Sequence, residues 1–308
     1  MKPDRLFAGF VKLRAKLLFT AVLACLSSLS LAQSPSPLGK IPTPASTTVQ
    51  AKPKLRIITL APHLAQLAQV AGAGDWLVGV TEYTPAAYAG DLPKVGNAFA
   101  VNWRLIAELK PDWVLVWGSG NSPATQAKLK ALGLKVFVSE PKTLADIVAE
   151  PETLARLLGV TTETAGLKQL RADYAELQRF NGGKSSQTLK IFHPIWPKPL
   201  MTVGAPHVIT EALRHCGARN VFGTLPLITP TVTLAQVLRA QPDLIVLARS
   251  QAEAENNPAD TWSFLLNAFP KKTAPAITYV NGDAFHQPGA SLIPETLKLC
   301  QTIAELKR

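Results

Sequence analysis

The chain has 308 residues, 47% of them hydrophobic, which is enough for two domains with real cores. Its formal charge is +11, but residues 1–32 hold five of the 32 basic and one of the 21 acidic side chains, leaving 27 against 20, or +7. No Lys/Arg cluster is dense enough for a nucleic-acid surface, so no nucleic-acid partner is expected of this moderately basic chain.

Lys2, Arg5, Lys12, Arg14 and Lys16 precede the apolar run LLFTAVLACL (17–26), which is too short to span a bilayer comfortably. Small residues follow at Ser30-Leu31-Ala32. This is the layout of a secretory signal peptide, residues 1–32. Val22-Leu23-Ala24-Cys25 resembles a lipoprotein cleavage box, but Leu23 fits it poorly, and cleavage after Ala32 is favoured over lipidation of Cys25. Residues 33–54 are rich in Pro, Ser and Thr and cannot bury enough apolar surface to fold, so they read as a linker.

An N-terminal α/β lobe is expected over 55–160. RIITL (56–60) reads as a strand closed by Ala-Pro-His, and LAQLAQVAGAG (64–74) as a helix stopped at Gly72. WLVGV (76–80) is a second strand. VNWRLIAELKPDWVLV (101–116) then gives a helix, a Pro-Asp pair and a third strand. A helix near 123–132 and the strand KVFV (135–138) follow. Strands that alternate with helices, and that are apolar on both faces, imply a parallel sheet. A helix over 162–181 places Leu167, Leu170, Tyr174 and Leu177 on one face, with Thr162 as its cap and Asn181-Gly182-Gly183 as its end; 161–183 reads as the connector.

A C-terminal lobe is expected over 184–308, and it repeats the first. LKIFH (189–193) is its first strand, and HVITEALRHCGARN (207–220) carries a helix ending at Gly217. Val221-Phe222-Gly223 echoes Val78-Gly79. VTLAQVLRAQPDLIVL (232–247) repeats the 101–116 unit 131 residues later. AITYVNGD (276–283) and a closing helix from about Pro294 to Lys307 complete it. The expected fold class is α/β: two Rossmann-like lobes with parallel sheets, joined by one long connecting helix, with a cleft between them for a ligand.

Catalytic signatures are missing. There is no GxxxxGK[ST] loop and no HExxH, and Ser119 lacks the GxSxG spacing of a nucleophile elbow. The five histidines (63, 193, 207, 215 and 286) stand singly without metal-ligand spacing. Only His63 and His286 follow strand ends, where open α/β sheets hold ligands. The same rule collects Tyr83, Trp117 and Phe285 at strand ends, with Phe99 and Trp196 in loops, while Trp76, Trp103 and Trp113 fall inside elements as core. Gly118 lets backbone approach a ligand closely. Aromatics from both lobes suit a large, flat, apolar ligand. Cys216 and Cys300, an even pair in an exported chain, suggest one bridge, with two buried thiols as the alternative.

The stretches RIITLAPHLAQLAQVAGAGDWLVGVTEYT, LPKVGNAF, LIAELKPDWVLVWGSGN, PLMTVGAPHVITEALRHCGARNVF and VNGDAFHQPG resemble the Fe/B12 periplasmic-binding family over about 55–305, most of all its cobalamin-binding members. The resemblance implies two α/β lobes bridged by a helix. It implies a periplasmic, monomeric, non-enzymatic protein without a cofactor, which captures cobalamin or a related corrinoid for an ABC importer. It implies corrin contacts at Tyr83, Trp117, Asp283 and Phe285, and a Cys216–Cys300 disulfide. The chain departs from the pattern at Ala98, Ile195, Thr229 and Gln287, where Phe99 and Trp196 stand beside the first two. The family's two importer-docking glutamates fall at Arg104 and Ala235, with Glu108 one turn beyond the first. Haem or a ferric siderophore is the alternative ligand. His63 or Tyr83 would then meet haem iron, and Arg249 is the rare strand-end arginine that a siderophore would favour.

Overall fold

The computed structural model describes residues 54–97, 100–180, 188–249 and 258–307, the last beginning with backbone alone for 258–260. The expected signal peptide, residues 33–53 of the linker, Ala98, Phe99 and the Asn181-Gly182-Gly183 stop lie outside the described residues, and so does Cys25. The described residues fall within one compact unit spanning 52–308.

Four strands form the N-terminal sheet: β1 (Ile57–Thr59), β2 (Leu77–Gly79), β3 (Trp113–Trp117) and β4 (Lys135–Ser139). They run parallel in the order β2-β1-β3-β4. In the C-terminal half, β5 (Leu189–Phe192) is followed by an antiparallel pair, β6 (Pro194–Trp196) and β7 (Met201–Thr202). Then come β8 (Ala218–Asn220), β9 (Leu244–Arg249) and β10 (Ala276–Asn281). The second sheet is also parallel, in the order β10-β9-β5-β8. Numbered within its own lobe, each sheet reads 2-1-3-4, so the repeat seen in the sequence is a repeat of topology.

The Pro-Asp pairs have a structural reason. The helix Trp103–Leu109 ends on Lys110 at φ 44°, and Leu234–Ala240 ends on Gln241 at φ 47°, both left-handed and both directly before the proline. The aspartate then joins the first strand of its lobe. Asp112 Oδ2 accepts from the Arg56 N–H at 2.8 Å, and Asp243 Oδ2 from the Lys190 N–H at 2.7 Å. Each aspartate's own N–H donates back to the same residue's carbonyl at 2.8 Å. One short motif thereby stops a helix and aligns two central strands.

The connector spans Ala165–Arg179, about 22 Å at 1.5 Å per residue. Its Leu167 enters the N-terminal core, while Leu170, Leu177 and Tyr174 pack in the C-terminal core. Its cap is Thr164 rather than Thr162: the Thr164 hydroxyl accepts from Leu167 N at 3.2 Å and donates to the Val70 carbonyl at 2.9 Å. That second bond, to another helix, is what sequence could not supply. A further 15-residue helix, Leu144–Leu158, has no counterpart among the predicted elements, because Pro151 falls in its middle. A Thr143/Asp146 capping box starts it. Its Leu144 and Ile147 enter the C-terminal core and its Leu154 and Leu158 the N-terminal one. This helix therefore adds to the connection that Ala165–Arg179 makes between the lobes.

Three local expectations shift. Pro62 and His63 open the helix Pro62–Val70 rather than closing β1, with Pro at its first turn. The second strand, in chain order, of the C-terminal parallel sheet is Ala218–Asn220, and Val221-Phe222-Gly223 form the turn after it. The closing helix begins at Leu292. Trp76 and Trp113 pack against one N-terminal core cluster and Trp103 against the other, as expected. Cys216 and Cys300 form a disulfide, closing the alternative of two free thiols.

Candidate functional site

The C-terminal ends of the strands in both lobes converge on a run of three cavities. The first, about 240 Å³, is walled by residues after β1, β2 and β3, including Leu60, Tyr83, Trp117 and Asn121. The second, about 300 Å³, lies between the lobes, with Trp117, Glu140 and Lys142 on one side and His207, Ile228 and His286 on the other. The third, about 440 Å³, belongs to the C-terminal lobe and takes in Ile195, Trp196, Trp262, Asp283, His286 and Gln287. Trp117 is common to the first two, and His286 and Gln287 to the last two. A hollow of about 530 Å³ opens at the opposite, N-terminal ends of β5 and β9, away from where such sheets bind ligands.

Tyr83 is 83% exposed and stands at φ 63°, a left-handed backbone that a bulky side chain adopts at a cost of about 1 kcal/mol or more. The turn Thr81–Thr84 holds it there through the Thr84 hydroxyl, which donates to the Thr81 carbonyl at 2.8 Å. An exposed aromatic ring held on strained backbone at a cleft fits binding better than it fits folding. Tyr83→Asn, which tolerates this conformation, is expected to raise stability by about 1 kcal/mol. A urea melt of the variant checks this, and a lower midpoint would show that the ring stabilises the fold after all.

Trp117 ends β3. Its backbone N–H donates to Asn121 Oδ1 at 2.8 Å, and Asn121 Nδ2 donates to the Leu60 carbonyl at 2.9 Å, so one buried amide ties the ends of β1 and β3. A Cβ at Gly120 would run into the indole, which is why only glycine fits there. Gly118 lies against Glu140, whose carboxylate accepts from the Ser119 N–H at 2.6 Å. His63 is not on the cavity surface. It is 2% exposed and sits behind Trp117, ring to ring at 5.3 Å and 88°. Burial pushes its pKa down to about 3, and its Nε2 has no hydrogen-bond partner. The imidazole is therefore a neutral backing for the indole.

In the C-terminal lobe, Trp196 is 59% exposed on β6, its Nε1 donating to the Lys198 carbonyl at 3.1 Å. Asp283 lies in the first turn of the short helix Gly282–Phe285 that follows β10. Phe285 lines the interlobe cavity but is fully buried, edge-on to His193 at 5.3 Å. Tyr83, Trp117, Trp196, Asp283 and Phe285 thus share the cavity run, Gly118 adjoins it, and His63 supports it from behind.

The sequence reading misses a histidine cluster. His193, just past β5, is fully buried: its Nδ1 meets the Val246 carbonyl at 2.8 Å and its Nε2 meets His286 Nε2 at 3.1 Å. His207 caps the helix Val208–His215, its Nδ1 accepting from Ile209 N at 3.1 Å. Burial, and then the neighbouring His286, pushes His193 down to about 3 and His207 to about 4. No spacing in the chain announces this cluster; only the strand-end position of His286 hints at it. On the outer face, Glu108 pairs with Arg104 at 2.8 Å, and Ala235 is exposed.

No family model matches the chain. A vitamin B12-binding protein of Vibrio cholerae is 31% identical over 258 residues, covering 80% of this chain and 88% of the relative. One of Photorhabdus laumondii is 31% identical over 256 residues, covering 81% and 88%. Among solved structures, the periplasmic vitamin B12-binding protein BtuF of Vibrio cholerae superposes with a TM-score of 0.67 at 29% identity, over 82% of this chain and 97% of that one. The haem-binding protein BhuT reaches a TM-score of 0.68 at 19% identity over 82% and 99%, a likeness of fold alone. With two parallel-sheet lobes, an aromatic interlobe cleft and this identity over most of its length, the chain belongs to the vitamin B12-binding protein family.

Proposed function

We propose that the protein captures cobalamin or a related corrinoid in the periplasm and hands it to an ABC importer. The carrying observation is the cavity run at the strand ends, with Tyr83, Trp117 and Trp196 presented from both lobes. A corrin ring is large and flat and exchanges water for aromatic surface, while Asp283, Gln287 and Lys142 offer polar partners to its amide rim. Helices Ala165–Arg179 and Leu144–Leu158, which both contribute to the two cores, favour small lobe movements on capture. Action by binding rather than turnover, export by the residue 1–32 signal, a monomeric state and lobe limits of 55–160 and 184–308 around a 161–183 connector belong to the same reading. The docking face then differs from that of importer-bound relatives, since Arg104 pairs with Glu108 where a free carboxylate is expected.

The test is a titration with cyanocobalamin, followed by tryptophan quenching and calorimetry, with hemin in parallel. One-to-one saturation by cyanocobalamin is the expected result. Trp117→Ala is expected to weaken it by about 2 kcal/mol, roughly 30-fold, and Tyr83→Asn to weaken it as well. The exposed phenol of Tyr83 is the one observation favouring haem. Saturation by hemin alone, with a Soret band lost in Tyr83→Asn, would move the function to haem capture.

A further inference from the structure

We infer that Gln66 is a positioning residue of the binding cleft: its side-chain amide ties one lobe to the other and so sets how far apart the two walls of the cleft stand. The inference rests on the corrinoid reading above for its ligand, though not for its geometry. Gln66 lies on the helix Pro62–Val70 of the N-terminal lobe and is half-buried. Its Oε1 accepts from the Ser291 N–H at 3.2 Å and from the Ser291 hydroxyl at 3.3 Å, across 225 positions of sequence. Its Nε2 donates to the Tyr88 hydroxyl at 2.9 Å. A backbone N–H can only donate, so the amide oxygen must face Ser291 and the amide nitrogen Tyr88. One side chain thus holds its own lobe with one atom and the other lobe with the other.

The partner residue gives up a local bond to take part. Ser291 is the N-cap of the closing helix Leu292–Leu306, a position where a serine hydroxyl ordinarily accepts from the helix's own N–H groups. Here it makes no such bond, and its hydroxyl and N–H both turn to Gln66. Gly289 brings the backbones close. A Cβ there would stand 2.8 Å from Gln66 Oε1 and 3.3 Å from His63 Cβ, so glycine permits an approach that a larger residue would resist. The contact also sits where it can govern the site. His63, three residues before Gln66 on the same helix face, backs Trp117 ring to ring. Gln287 and Pro288, directly ahead of Gly289, line the interlobe cavity together with Trp117. Wall segments of both lobes therefore meet at Gln66. The helices Ala165–Arg179 and Leu144–Leu158 join the lobes through apolar packing, which is non-directional, whereas the Gln66 bonds add a direction and a length.

The experiment measures the distance between nitroxide labels by double electron–electron resonance, on protein exported to and purified from the periplasm. The labels are carried by Lys130→Cys and Arg239→Cys, exposed on the helices Pro123–Ala131 and Leu234–Ala240 of the two lobes. The otherwise unaltered protein is expected to give one narrow distance that cyanocobalamin barely moves. Gln66→Met keeps the length of the side chain and loses its hydrogen bonds. It is expected to broaden and lengthen the distance, to recover it at saturating cyanocobalamin, and to bind roughly tenfold more weakly. Gln66→Glu keeps the acceptor, with the Tyr88 hydroxyl turned to donate, and is expected to restore both distance and affinity. Gly289→Ala pushes on the amide from the other lobe and gives a second route to the same opening should Gln66→Met fold poorly. Unchanged distances in Gln66→Met and Gly289→Ala would overturn the inference. So would weaker binding at an unchanged distance, or a Gln66→Glu protein that behaves as Gln66→Met does. Failure of the protein with native Gln66 and Gly289 to bind cyanocobalamin would sink the corrinoid reading instead, and the distances without ligand would still decide the role of Gln66.

Discussion

Taking the protein from pH 8 to pH 5 is expected to cost up to about 6 kcal/mol of folding free energy, shared among His63, His193 and His207. In the unfolded chain each imidazole takes up a proton near its ordinary value of 6.5, whereas burial lowers the folded values to about 3, 3 and 4. Between those values the unfolded state holds more protons, so acid favours it. Stability is full above pH 6.5 and falls with pH by about 1.4 kcal/mol per unit for each histidine, or about 2 kcal/mol each by pH 5. Against a typical margin of about 5–15 kcal/mol, this is a large loss. Urea midpoints at pH 8, 6.5 and 5 measure it. A midpoint that does not move would mean these rings are solvated in solution, whereas a slope reduced in His63→Gln and His207→Gln assigns it.

Removing the disulfide with Cys216→Ala and Cys300→Ala is expected to destabilise the protein by about 2–5 kcal/mol. The bridge spans a sequence separation of 84 residues, and that loop holds β8, β9 and β10, three of the four strands of the second sheet. Cross-linking a loop of that length lowers the entropy of the unfolded chain by about 4–5 kcal/mol in the chain-entropy account. Both cysteines are fully buried in the C-terminal core, where they join the end of the helix Val208–His215 to Leu292–Leu306. Chemical denaturation of the double variant beside the oxidised protein checks the figure. Equal midpoints would mean that the unfolded chain is already compact around this pair. The surrounding CGARNVF stretch shows why the site is so built. Gly217 at φ 64° ends the helix, and Asn220 Nδ2 donates to the Val203 carbonyl and to Thr210 Oγ1, each at 2.8 Å.

The sequence determined the elements whose causes are local. A proline after a helix, an aspartate that returns to the neighbouring strand and an apolar run of strand formers act over a few residues, so both 101–116 and 232–247 were legible, and with them the doubled α/β plan. Aromatics at strand ends were legible for a related reason, since parallel sheets expose their C-terminal ends to ligand wherever they occur. The helix Leu144–Leu158 was not legible, because what outweighs Pro151 is burial in two cores contributed by distant segments. Nor was the depth of His63, which shares a strand-end position with Tyr83 and Trp117 yet lies behind the wall, or that of Phe285, which lines the cavity while fully buried. The cluster of His193, His207 and His286 came from the tertiary structure alone. Those residues are brought together by the ends of β5 and β10 and the cap of Val208–His215, and a hydrogen bond across 93 positions leaves no periodic trace in the chain. Local sterics and pairing rules are written along a sequence, whereas which buried side chains meet is decided by how the sheets and helices pack.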